Sequence, residues 1–157
     1  MRKFSLKTDS FEVKELDEYL LSINGIKEVE IKNEDLVSIT VKYDESVIVE
    51  NIVKLEILAF LRALKWPSFY EFDRHSKEKT KIYKIERDSI CCEFCYADII
   101  EDLYEITGIL KVESNFYPKF FLNRHDGEKY YINIYYNPLI LTEKVMVDIE
   151  NNLDIYG

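Results

Sequence analysis

The chain has 157 residues and a hydrophobic fraction of 47%, enough for one ordinary domain or two small ones, each with a packed core. Its formal net charge of −9 opposes a nonspecific grip on nucleic acid or on an anionic membrane, since either would need a positive surface. No apolar core of a signal peptide follows Met1-Arg2-Lys3, and no uncharged apolar run of about 18 residues occurs. The longest apolar stretch, Ile57 to Trp66, is broken by Arg62 and Lys65, so the expectation is a cytoplasmic chain with no direct membrane insertion.

In chain order, Phe4 and Leu6 alternate in a short first strand. Asp9 or Ser10 can cap a helix from about Phe11 to Ile23, with Glu12 completing a capping box. Leu16, Leu20 and Ile23 then form one apolar stripe at helical spacing. Val29-Glu30-Ile31 alternates, Asn33-Glu34-Asp35 reads as a turn, and Val37, Ile39, Val41 and Tyr43 line one face of a strand. Residues 48–64 read as a helix with Ile48, Ile52, Leu55 and Ala59 on one face, adjoined by Val53, Ile57, Leu61 and Leu64. Trp66-Pro67 ends it, because proline disfavours the helical conformation of the residue before it. Phe69 to Phe72 is a strand, and Arg74 to Lys81 a polar linker.

The pattern then repeats. Leu16, Leu20, Ile23, Gly25, Ile26 and Val29 are matched 83 residues later by Ile99, Leu103, Ile106, Gly108, Ile109 and Val112. Each glycine follows the stripe where a left-handed residue can end a helix. A strand over Ile82–Ile85 and a helical region from Ser89 to Ile106 precede a longer hairpin, with Phe116-Tyr117, Phe120-Phe121, a His125-Asp126-Gly127 turn and the alternating run Tyr130 to Tyr136. Thr142 can cap a last helix with Val145, Met146, Ile149 and Leu153 on one side. Asp154-Ile155-Tyr156-Gly157 leaves room for only a short fourth strand. The expected fold is α+β: two tandem ferredoxin-like βαββαβ units over 1–78 and 79–157, the second with a long β-hairpin and a truncated last strand.

All three cysteines fall within Cys91-Cys92-Glu93-Phe94-Cys95. With no export signal they point to reduced thiols. Two thiols separated by two residues at a helix start can converge on one soft metal ion or form a reversible disulfide, and free cysteines can also simply pack in a core. The helix N-terminus favours the thiolate, the form that ligates metal.

Ile90-Cys91-Cys92-Glu93-Phe94-Cys95, followed by Gly108-Ile109, resembles the heavy-metal-associated domain family. That family includes small copper chaperones and the N-terminal modules of heavy-metal P-type ATPases. Its signature is Met-x-Cys-x-x-Cys after the first strand, running into a helix that ends before a Gly-Val pair. Ile90 stands at the methionine position and Ser89 where a glycine is usual. The motif-bearing resemblance covers about residues 80–157, while residues 2–73 match by pattern alone.

The resemblance implies a metal-binding module without enzymatic activity of its own: a metallochaperone, a sensor or the regulatory N-terminal piece of a metal-transporting ATPase. Cys92 and Cys95 would be the ligands, with Cys91 in reserve. The ion would be a soft one, Cu(I) or zinc first and cadmium or a similar ion next. The partner would be a protein with a matching Cys-x-x-Cys site or adjoining ATPase domains. Asp9 and Glu12 stand where the second half has Cys92 and Cys95, and these hard carboxylates do not replace thiolates for a soft ion. The first half is therefore expected to be a degenerate, cysteine-free copy.

Residues 1–83 carry 14 basic and 16 acidic side chains, and residues 84–157 carry 7 and 14. This acidity opposes an RNA-recognition role for the tyrosine-rich strand 130–136, so no nucleic-acid partner is expected. His75 and His125 read as surface residues. The competing reading is a metal-free adaptor or small acidic inhibitor that docks a basic partner through its aromatic hairpin.

Overall fold

Alternation of apolar and polar residues sets the strands. In β1 (Arg2–Thr8), Phe4, Leu6 and Thr8 are buried while Lys3 and Lys7 are exposed, the two-residue period of a half-buried strand. The computed structural model describes residues 1–8, 15–34, 36–64, 70–87, 93–115 and 130–153, with 62–64, 70 and 93–97 described by their backbone alone. These residues form an α+β chain of seven strands and four helices in two compact units, Met1–His75 and Ser76–Gly157. No helix among them is long and apolar enough to cross a membrane.

The first unit continues through α1 (Leu16–Leu21), β2 (Ile26–Asn33), β3 (Val37–Tyr43), α2 (Glu50–Leu64) and β4 (Tyr70–Asp73). Its strands lie in the order β2-β3-β1-β4, each pair antiparallel. Val37, Ile39, Val41 and Tyr43 are all buried, as their alternation requires. The Tyr19 hydroxyl donates to Glu56 and its ring stacks on Phe60 at 5.4 Å, joining α1 to α2.

Two expectations for this unit are corrected. The described helix α1 spans Leu16–Leu21, and Glu15 before it has φ 68°, a left-handed conformation that one continuous helix from Phe11 to Ile23 cannot run through. The proposed cap residues Asp9, Ser10 and Glu12 lie outside the described residues. The buried face of α2 is Val53, Ile57, Leu58 and Leu61, with the stem of Lys54. Ile52, Leu55 and Ala59 face outward instead. Helix α2 is apolar on two adjoining stripes, and its seat on the sheet selects the one that includes Leu58.

The second unit runs β5 (Lys81–Arg87), α3 (Glu93–Glu105), β6 (Ile109–Ser114), β7 (Tyr130–Tyr136) and α4 (Glu143–Asn152). Its described strands are ordered β6-β7-β5, again antiparallel. The segment with Phe116, Tyr117, Phe120, Phe121 and His125 and the proposed last strand, 154–157, lie outside the described residues. Met146 is the buried residue of α4, whereas Val145 is exposed and Ile149 and Leu153 are half-buried, so the expected apolar side is only partly covered.

The internal repeat holds at the level of single hydrogen bonds. Gly25 and Gly108 both have φ 101°. The Gly25 carbonyl accepts from Asp44 N–H at 2.8 Å, and the Gly108 carbonyl from Asn137 N–H at 2.8 Å. The Asp44 and Asn137 side chains each accept from the backbone N–H two residues on, closing the same turn before the second helix. Both units break register at one place, between Ile26 and Glu28 opposite Tyr43 and between Ile109 and Lys111 opposite Tyr136. Two copies of one turn, one bulge and one buried tyrosine lie between the repeated helices and strands.

Thr142 caps α4 as its position implies, its hydroxyl accepting from Val145 N–H at 3.2 Å. Thr142→Ala is expected to cost about 1 kcal/mol, read from the midpoint of chemical denaturation.

Candidate metal centre

The cysteine segment joins β5 to α3. Strand β5 ends at Arg87, paired with Tyr130 on β7, and α3 begins at Glu93. Cys95 is thus the third residue of a 13-residue helix, in its first turn, where backbone N–H groups lack intrahelical partners and favour negative charge. Cys91 and Cys92 lie outside the described residues, as does the Cys95 side chain, so the three sulfurs have no described geometry. The helix that carries Cys95 is anchored from its second turn onward, with Ile99, Ile100, Leu103 and Tyr104 buried. Ile99 and Leu103 repeat the buried Leu16 and Leu20 of α1.

Among the described residues, no group of three or more His, Cys, Asp or Glu side chains is arranged to hold a metal ion. The donor chemistry of the segment is that of thiols, two of them separated by two residues across a helix start. Thiolates in that setting suit a soft ion bound by two or three sulfurs.

At the same end of the sheet, side chains take over from the ladder. Ser114 Oγ donates to the Tyr131 carbonyl at 2.7 Å, and Asn115 Oδ1 accepts from Tyr131 N–H at 2.9 Å. These bonds clamp β6 to β7 at the points where the chain leaves for and returns from residues 116–129.

Two polar clusters were not read from the sequence. On the helix-facing side of β5, the Tyr83 hydroxyl donates to Glu150 Oε1 at 2.5 Å and Arg87 Nη1 donates to Glu150 Oε2 at 2.9 Å. The hydrogen bond to Glu150 chiefly, with partial burial, pushes the Tyr83 phenol up to about 12. The equivalent positions of the first unit hold Phe4, Thr8 and Ile57, all fully buried. Tyr83, Ile85 and Arg87 alternate along the strand, which places them on one face, but Glu150 is 63 residues from Arg87 and local pattern cannot bring it there. In the first unit, Ser5 Oγ lies 2.7 Å from Thr40 Oγ1 and 2.5 Å from His75 Nε2. His75, read as a surface residue, is exposed, its ring bonds to Ser5 on the open face of the sheet, and its φ of 49° turns the chain there.

No protein-family model and no curated protein matches this chain.

Proposed function

We propose that the second unit binds a soft metal ion through Cys92 and Cys95, with Cys91 as the reserve ligand, and passes it to a partner protein by thiolate exchange. The observation that carries this reading is the place of Cys95, in the first turn of α3 directly after a segment that holds the other two cysteines. A helix start lowers thiol pKa, and a Cys-x-x-Cys pair across it offers two converging thiolates. Two sulfurs fit the linear or trigonal preference of Cu(I), while zinc would complete four ligands with a third thiol, a carboxylate, water or the partner.

The element order of the first unit, strand-helix-strand-strand-helix-strand with sheet order β2-β3-β1-β4, supports a ferredoxin-like assignment. The shared turn and bulge support a second copy of the same unit after it. In this reading the first unit is the degenerate, cysteine-free copy of a heavy-metal-associated pair. The chain acts as a cytoplasmic metallochaperone, a sensor or the regulatory module of a metal-transporting ATPase.

The test is anaerobic titration of the reduced protein with Cu(I), Zn²⁺ and Cd²⁺ against competing chelators. About one tightly held ion per chain is expected, and its loss in Cys92→Ser/Cys95→Ser. Binding no tighter than that of a short dithiol peptide, or binding unchanged in the double variant, overturns the reading.

A further inference from the structure

Three lysines gather at one end of the first unit's sheet, against the ordinary rules of strand pairing. Lys3 on β1 stands directly opposite Lys42 on β3. Like charges facing each other across a ladder destabilise a sheet. Lys27 joins them at the register break between Ile26 and Glu28, where a bulge leaves it without a cross-strand partner and re-aims its side chain. All three line one surface cavity of about 390 Å³. Sites for small ligands run from roughly 300 to 1,000 Å³, so this one suits a small molecule.

The fold does not require this cluster, because the second unit builds the same bulge and ladder without it. The positions equivalent to Lys3, Lys27 and Lys42 hold Ile82, Leu110 and Tyr135 there. Ile82 faces Tyr135 across the ladder, a pairing of aliphatic with aromatic that a sheet favours. Nor do carboxylates neutralise the cluster. Glu28 and Glu30 line the cavity too, but Glu28 lies 3.8 Å from Lys42 and Glu30 3.6 Å from Lys32, exposed pairs too long for hydrogen bonds. A cation cluster that costs stability and is absent from the sister unit marks a binding site rather than a structural device.

The rest of the lining is partly apolar. Leu21, at the end of α1, and Val29 stand beside the lysines. Leu21 is 49% exposed, whereas its equivalent in the second unit, Tyr104, is buried. An apolar side chain left in water next to three ammonium groups is therefore particular to the first unit. The cavity also lies well within the described residues. The chain passes outside them after Thr8, before Leu36 and before Tyr70, at the end of the sheet where Thr8 pairs with Val37 and Tyr70. Lys3 and Lys42 pair at the other end of β1.

We infer that this cavity binds a small organic carboxylate, its charged group held by Lys3, Lys27 and Lys42 and its apolar body laid against Leu21 and Val29. The anion relieves the repulsion between Lys3 and Lys42, and the apolar body covers Leu21. Neither half alone suffices: a bare inorganic anion leaves Leu21 in water, and a neutral alcohol leaves the lysines facing each other. The site is in the unit without cysteines, so it stands independently of metal binding.

The experiment is a titration of the ¹⁵N-labelled 157-residue chain, with reductant and chelator present, followed by amide chemical shifts. Hexanoate is the probe, against acetate, inorganic phosphate and hexanol. Hexanoate is expected to shift the amides of Lys27, Glu28 and Lys42 saturably, with Kd on the order of 1 mM for so few atoms. The three comparison compounds should bind about tenfold more weakly. Lys3→Gln/Lys27→Gln should weaken hexanoate about tenfold, while Lys77→Gln/Lys79→Gln in the linker leaves its affinity unchanged. Amide dispersion in the same spectra shows that both variants are folded.

The absence of saturable shifts at these amides overturns the proposal. So does an affinity for hexanoate that Lys3→Gln/Lys27→Gln does not change, because the ligand would then sit elsewhere. Phosphate or hexanol binding as tightly as hexanoate also overturns it, since the site would then read only charge or only apolar surface.

Discussion

Gly108→Ala is expected to lower the stability of the chain by about 3 kcal/mol, and Gly25→Ala by a similar amount. Alanine usually stabilises at a glycine whose conformation it can adopt, because the unfolded chain loses freedom. Here the sign reverses for two reasons. Both glycines sit at φ 101°, which side chains rarely adopt. The added methyl also has no room: at Gly25 it would fall 2.7 Å from Ile48 Cγ2, and at Gly108 2.8 Å from Ile140 Cγ2. Neither turn can open to make space, since each glycine carbonyl is held at 2.8 Å by the N–H of Asp44 or Asn137. Chemical denaturation checks this. An alanine variant as stable as the parent at either position would refute the positive-φ turn there.

Phe4→Ala is expected to cost about 3–5 kcal/mol, the range for emptying a fully enclosed aromatic site. Phe4 has no exposed surface, and its neighbours on the same sheet face, Leu6 and Val41, are also enclosed, so the cavity has little means of collapse. Its counterpart Tyr83 provides the control. That side chain is half-buried and ends in a hydrogen bond to Glu150, so Tyr83→Ala leaves a site that water can enter. The smaller loss expected there, against the larger one at Phe4, is read from denaturation midpoints of the two variants. Equal losses would contradict the difference in packing between the two units.

The contrast between Phe4 and Tyr83 extends to the positions beside them. At three equivalent positions the first unit has Phe4, Thr8 and Ile57 sealed in its core, where the second has Tyr83, Arg87 and Glu150 half-buried and joined by hydrogen bonds. The first unit completes its sheet with β4. The second leaves β5 with one described partner and carries the cysteines.

Short-range patterns were legible without the structure. Val37, Ile39, Val41 and Tyr43 declare a buried strand face by their two-residue period alone. Gly25 and Gly108, each after the same apolar stripe, mark the positive-φ turns, and Thr142 marks the start of α4. The cysteine cluster was legible as a cluster, and its third member lies in the first turn of a helix. These features depend on residues within about one or two turns of each other, where local sterics and hydrogen bonding decide the outcome.

What only the tertiary structure decided involves distant residues or a choice between two acceptable local answers. One continuous helix from Phe11 to Ile23 satisfies the local pattern, yet Glu15 is left-handed just before α1. Two apolar stripes of α2 satisfy helical periodicity equally well, and its seat on the sheet buries Leu58 while leaving Ile52 and Leu55 in water. Tyr83, Arg87 and Glu150 are ordinary surface types in the sequence until β5 and α4 bring them within hydrogen-bonding distance. The sequence by itself therefore determined the repeat, the strand faces, the glycine turns and the clustering of thiols, because each is a matter of local periodicity or backbone conformation. The choice of helix face and the polar layer beneath α4 were decided by packing between segments tens of residues apart, which no local pattern encodes.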